Sequence, residues 1–340
     1  MNQYQDNKFC QNPQNEKEPI LLSQNPPRVR LHTGIIGVAI VLGFVLALSA
    51  QMIVLTVIKA TNPAIMENDW FRITISTLPL YFIEMPVAYL LFLTIPKSAP
   101  PKQKLSPFMW IGFLFLCFLF TYLSNFVGQF VETWIYNWLG IQIRDEVAEI
   151  SYITPFGINL LFIGILAPIF EELFYRKAII DRLRRYGDLP AILISGLIFG
   201  LVHGNFSQVF YTAAGGMLLG FVYVRTGNVF YTISLHMAYN LIGGVYVTEM
   251  VRRMGDELTP AQGDVIGTVM LMAYSVFTVL SLVVGAIFLI ANIRRFCRSL
   301  QKGEYALSFD KWMNALFFNP GVWVYIAWTV LMFVSSLLAS

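Results

Sequence analysis

Two adjacent acids, Glu171 and Glu172, sit in an otherwise apolar run that starts at Gly157. A charge at mid-bilayer costs at least ~3 kcal/mol on insertion scales, so ionisable residues inside apolar segments are candidates for function. Two of the chain's three histidines, His203 and His236, also fall in apolar segments. Glu172 and Arg176 lie four residues apart, so on a helix they share a face and can pair. Arginine stays charged and can grip a carboxylate with two N–H groups, which would keep Glu172 ionised. Glu171 points about 100° away and is left for another partner. Desolvation favours the neutral form of a carboxyl, which suits a general base or acid near neutral pH. His203 could share that work. His236 and Asn240 also stand at i and i+4. An imidazole N–H and an amide NH₂ on one face would make a place for an oxyanion.

These residues need elements that hold them in lipid. The chain has 340 residues, 56% hydrophobic and 13% charged. That composition excludes an ordinary soluble domain, and several stretches exceed the ~20 apolar residues that span hydrocarbon. The segments fall at about 34–58, 73–96, 107–130, 153–181, 190–204, 206–224, 229–248, 265–293 and 316–338. They predict an all-α polytopic membrane protein, a bundle of 8–9 transmembrane helices over 34–338. Residues 1–33 form a polar tail, expected to be disordered. The fifth segment is short, which suggests a helix broken inside the membrane at Gly204-Asn205. Residues 130–139, with Trp134 and Trp138, are expected to lie flat at an interface. Cys10, Cys117 and Cys297 are scattered, so neither a disulfide framework nor a cysteine metal site is indicated. The net charge of +3 is small, and no nucleic-acid partner is expected.

If the chain starts in the cytosol and alternates, only Lys59, Arg72, Arg144, Arg252 and Arg253 face outward. That leaves 18 of the 23 Lys and Arg inside, as the positive-inside rule requires. The expected location is the plasma membrane, crossed several times and taken to be that of a bacterial cell; the bias predicts a cytosolic N-terminus. Counted from that side at 1.5 Å per helical residue, Glu171 lies ~16 Å deep, His203 ~20 Å and His236 ~11 Å. Three polar places on three helices reach a similar depth. Leaving each alone in hydrocarbon would cost far more than gathering them around a wet cavity. Glu84, before Met85-Pro86, either caps a kinked helix or lines that cavity. His32 is placed at the interface, and Gly215-Gly216 with Gly220 would permit close helix packing.

At these residues the chain resembles the CAAX protease and bacteriocin-processing (Abi) family of intramembrane proteases. Three motifs carry the resemblance: Glu171-Glu172-Leu-Phe-Tyr-Arg176, Phe199-Gly-Leu-Val-His203 and His236-Met-Ala-Tyr-Asn240. They stand in order on separate segments, within a protease-like core at about 150–248. The resemblance implies a cavity open to the cytosol and hydrolysis of peptide bonds. It implies that Glu171 and His203 activate water, that His236 and Asn240 stabilise the oxyanion, and that Glu172 and Arg176 hold the geometry. Substrates in such a family are membrane-associated peptides or proteins: CAAX-type and lipid-modified, leader, or signalling peptides.

Other hydrolase patterns fail. No His-Glu-x-x-His occurs, and Leu193 stands where a rhomboid-type serine motif needs glycine. Zinc is the alternative cofactor, with Glu171, His203 and His236 as ligands. Arg176 beside the site and Asn240, a poor zinc ligand, weigh against it, so no cofactor is favoured. The alternative function is a non-catalytic membrane scaffold, a bacteriocin self-immunity factor or a proton-coupled carrier, since an intramembrane Glu/His set also suits a proton relay.

Overall fold

A computed structural model describes residues 27–140, 154–254, 264–305 and 307–339. Among the described residues ten long or short helices run in order, besides a 3-10 turn at Pro63–Glu67: α1 (Pro27–Thr61), α2 (Asp69–Phe92), α3 (Pro107–Leu139), α4 (Phe156–Tyr186), α5 (Asp188–Leu201), α6 (Phe206–Thr226), α7 (229–254), α8 (Val265–Ser299), α9 (Phe309–Phe317) and α10 (Pro320–Ala339). Among the described residues there is no strand. Seven helices among the described residues are long and apolar enough to cross a membrane: α1, α2, α3, α4, α6, α8 and α10. The protein is an integral, multi-pass helical membrane protein. α5 is too short to span, and α7 carries His236, Asn240 and a charged end at Glu249, Arg252 and Arg253.

The elements depart from the sequence expectations in three places. α1 begins at Pro27, so residues 27–33 are helix, not tail; proline suits a first turn, where its missing N–H is not needed. Residues 1–26 of the expected tail lie outside the described residues, as does the loop 141–153 with Arg144. α3 does not bend into an interfacial piece at 130–139. No Gly or Pro interrupts that stretch before Gly140, whose φ of 70° ends the helix. The last apolar segment starts later than expected: it is the single helix α10 from Pro320, and residues 316 and 317 close the short helix α9 before it. The broken fifth segment is observed: Gly204 has φ 66°, and Asn205 caps α6 by accepting from Gln208 N at 2.9 Å.

α4, α5, α6 and α7 form the centre, with α3 and α8 on one flank and α1, α2 and α10 on the other. α5 and α6 approach closely through Gly196 and Gly216. A Cβ on Gly196 would stand 2.4 Å from Met217 Cγ and 2.8 Å from its backbone nitrogen. Gly215 instead faces open space. The outer face of α8 exposes Val269, Val276, Ile287 and Ile290, as a lipid-facing surface would. One end of α4 is stapled to its neighbours. Arg182 is buried and donates to the Phe92 and Ala178 carbonyls at 2.8 and 3.0 Å. Asp181 accepts from Tyr223 Oη at 2.7 Å and pairs with Lys97 at 3.3 Å.

Candidate active site

α4 is not a uniform α-helix. It runs as a π-turn over Leu160–Leu166, an α-turn over Ala167–Glu171 and a second π-turn over Glu172–Ile180. Such π-segments inside α-helices recur at functional sites. Here one has a local cause. The Ala167 N–H reaches back to the Phe162 carbonyl. The next donor in the same i→i−5 pattern would be residue 168, which is proline and has no N–H. The Ile163 carbonyl is thereby left open, and Asn240 Nδ2 donates to it at 2.9 Å. Asn240 thus ties α7 to α4 across a gap in the backbone ladder. One of its two N–H groups is committed there, and it does not stand beside a free His236 as the shared helix face had suggested.

The two glutamates have different surroundings. Glu172 is fully buried and accepts from Arg176 Nε at 3.1 Å and from His236 Nδ1 at 3.0 Å. Arg176 is fully buried too. Its Nη1 donates to Ser195 Oγ at 3.1 Å, and Ser195 in turn donates to the Tyr175 carbonyl at 2.8 Å. Glu171 is 19% exposed by side chain, and its Oε2 lies 3.7 Å from His236 Nε2. An ionised Glu172 can only accept, so the His236 Nδ1 carries hydrogen and its Nε2 is turned to Glu171.

His203 follows the end of α5. Its Nδ1 lies 2.7 Å from the Phe199 carbonyl, which fixes the hydrogen on Nδ1 and leaves Nε2 as an acceptor. Asn205 Nδ2 donates to the His203 carbonyl at 2.8 Å, so the chain break itself holds the residue. The Phe199 ring links the three motifs. His203 and His236 meet it edge to face at centroid distances of 5.1 and 5.9 Å, and the Arg176 guanidinium lies 4.9 Å from its centre. Five of the six sequence candidates, Glu171, Glu172, Arg176, His203 and His236, therefore meet in one cluster between α4, α5 and α7, while Asn240 is held at the Ile163 carbonyl.

Ser195 carries no motif and was missed by sequence reasoning as an Arg176 partner. Its signal is its position, four residues before Phe199 on the same face of α5. Glu84 belongs to no motif either. It is 2% exposed, and its Oε1 has no hydrogen-bond partner among the described residues. It ends a π-turn over Leu80–Glu84, and Tyr81 on that turn stacks on Phe170 at 4.5 Å, next to Glu171. His32, expected at the interface, is buried and meets Tyr186 Oη at 2.7 Å.

Among the described residues no three His, Cys, Asp or Glu groups are arranged to hold a metal ion, and both nitrogens of His236 face carboxylates.

Residues 154–242, which span all three motifs, match the family model described as "Type II CAAX prenyl endopeptidase Rce1-like". The chain is 27% identical over 189 residues to the "Putative membrane peptidase YdiL" of Bacillus subtilis (strain 168), an alignment covering 55% of this chain and 77% of that protein. No solved structure matches it. Residues 154–242 of this multi-pass membrane chain are thus similar to the type II CAAX prenyl endopeptidase family, and the chain resembles a membrane peptidase over 189 residues.

Proposed function

We propose that the protein is an intramembrane endopeptidase in which Glu171 activates water without a metal. The observation that carries this reading is the contrast between neighbours. Glu172 is buried and held by two donors, whereas Glu171 is accessible and, among the described residues, faces His236 Nε2. A base must reach the proton it takes, and Glu171 can. Water gives a proton to Glu171 while its oxygen attacks the scissile carbonyl carbon. His203 Nε2 accepts the other water hydrogen and orients the nucleophile. His236 with a proton on Nε2, and the second N–H of Asn240, donate to the oxyanion that forms. Glu171 then passes its proton to the leaving amine, the C–N bond breaks, and a carboxylic acid and an amine result. Glu172, Arg176 and Ser195 act through His236 and the helix backbone, as positioning residues.

The substrates are membrane-associated peptides or proteins, with or without a lipid modification, in a bacterial plasma membrane. The active site opens to the side where the basic residues collect. The test is comparative peptidomics of cells expressing wild type or Glu171→Gln at equal, folded levels. Peptides present with wild type and missing with the variant are expected. Identical peptidomes would overturn the reading.

A further inference from the structure

At the end of the bundle where α1 begins and α4 ends, Val29, Tyr186, Trp312 and Ala315 form a small buried cluster. The Arg185 guanidinium lies beside it, 4.7 Å from the centre of the Tyr305 ring. Its Nη2 is 3.7 Å from the exposed Glu304 carboxylate, too long for a hydrogen bond. Its Nε and Nη1 are buried with no partner among the described residues, and so is Trp312 Nε1. Arg28, on the first turn of α1, adds a second guanidinium within electrostatic reach of His32 and Tyr186. Buried N–H groups are nearly always paired, and those of a charged group most of all. Three such donors, beside the guanidinium groups of Arg185 and Arg28, lack an acceptor among the described residues.

The same corner opens onto an apolar cavity of about 260 Å³ between α1, α5, α9 and α10. Ile194 and Leu316 belong to both: they pack on the Tyr186–Trp312 cluster and line the cavity. Beyond them the walls are hydrocarbon, including Leu197, Leu201 and Ile326. α9, which supplies Trp312, exposes Phe309 and Phe317, and Phe318 follows it. A short helix with exposed aromatics beside a basic end is suited to the headgroup boundary of a bilayer.

The geometry points to a binding site for an anionic glycerophospholipid, its phosphate held by Arg185 and Trp312 and one acyl chain laid in the cavity. Charge complementarity selects the headgroup, because guanidinium and indole N–H groups all donate and a phosphate only accepts. The adjoining apolar cavity selects a lipid over a soluble phosphate. The bound lipid joins α1, α9 and α10 to the end of α4, just before the helix that leads to His203. The inference does not depend on the proteolytic reading.

The test is thermal unfolding of the full chain in detergent with added phosphatidylglycerol, phosphatidylcholine or inorganic phosphate. Phosphatidylglycerol is expected to raise Tm in a saturable way, phosphatidylcholine to do so less, and inorganic phosphate not at all. Arg185→Gln should weaken the apparent phosphatidylglycerol affinity at least about tenfold, the loss of a charge-assisted contact. Arg28→Gln, at an exposed position, and Leu201→Trp, which fills the cavity, test headgroup and chain separately and should each weaken it too. Equal stabilisation of wild type and all three variants would overturn the site. So would no stabilisation of wild type, or a response to inorganic phosphate equal to that of the lipid.

Discussion

Replacing Glu172 with Gln removes the one charge that answers Arg176. In the native site Glu172 Oε2 accepts from Arg176 Nε and Oε1 from His236 Nδ1, and both Glu172 and Arg176 are fully buried. Glu172 gives each partner its own oxygen, whereas glutamine puts an NH₂ in place of one of them, so one of the two donors would face a donor. The guanidinium would keep Ser195 Oγ and the Phe199 ring, and its Nη2 is already without a partner among the described residues. Breaking a buried pair by removing one member costs about 3–5 kcal/mol. Against a total stability of about 5–15 kcal/mol, that raises the unfolded fraction by a factor of about a hundred or more. The assay is unfolding in detergent followed by fluorescence, with Arg176→Ala and Glu172→Gln/Arg176→Met alongside. Both single variants should lose stability by similar amounts. The double variant should recover part of it, because no buried charge is left uncompensated. Wild-type stability in Glu172→Gln, or a double variant as weak as the sum of the singles, would refute the reasoning.

Glu171→Gln should abolish cleavage while leaving unfolding within about 0.5 kcal/mol of wild type, since its 3.7 Å approach to His236 is too long to be a hydrogen bond that folding depends on; a stability loss matching that of Glu172→Gln would reverse the roles of the two glutamates. Asn240→Leu uncovers the Ile163 carbonyl and should cost about 1–3 kcal/mol, read by unfolding together with reduced turnover. Purified protein should keep its activity in excess chelator and hold no stoichiometric zinc by elemental analysis; one tightly bound zinc, lost together with activity in His203→Ala, would establish the metal route. Cysteines placed at Lys102 and Glu146 should react with a membrane-impermeant label from opposite sides; labelling from one side would overturn the orientation drawn from the basic residues.

Much of this protein can be read along the chain. Apolar length is decided by what lipid accepts, so the crossings at α1, α2, α3, α4, α6, α8 and α10 follow from composition alone. Periodicity within one helix is equally legible: four residues bring Glu172 and Arg176 onto one face, and the ion pair forms there at 3.1 Å. The break after α5 is marked by Gly204 and Asn205, one allowing positive φ and the other capping the next helix. The three motifs carry the resemblance to the CAAX protease family without any structure.

What one helix meets on another is not written in its spacing. A π-turn inserts a residue into the ladder and turns everything beyond it, and Pro168 leaves one carbonyl open in a way that only the surrounding helices can answer. Asn240 therefore goes to Ile163, and His236 goes to Glu172 instead of standing free beside Asn240. Phe199 looks like ordinary core in the sequence, yet its ring touches Arg176, His203 and His236 at once. Ser195 is a small residue in an apolar helix until packing brings a buried guanidinium to it. The sequence by itself determined which residues are too polar to be left in lipid. Only the tertiary structure decided which of them neutralise one another and which one, Glu171, remains accessible. The physical reason is that each buried polar atom takes its partner from across the bundle, where chain spacing carries no information.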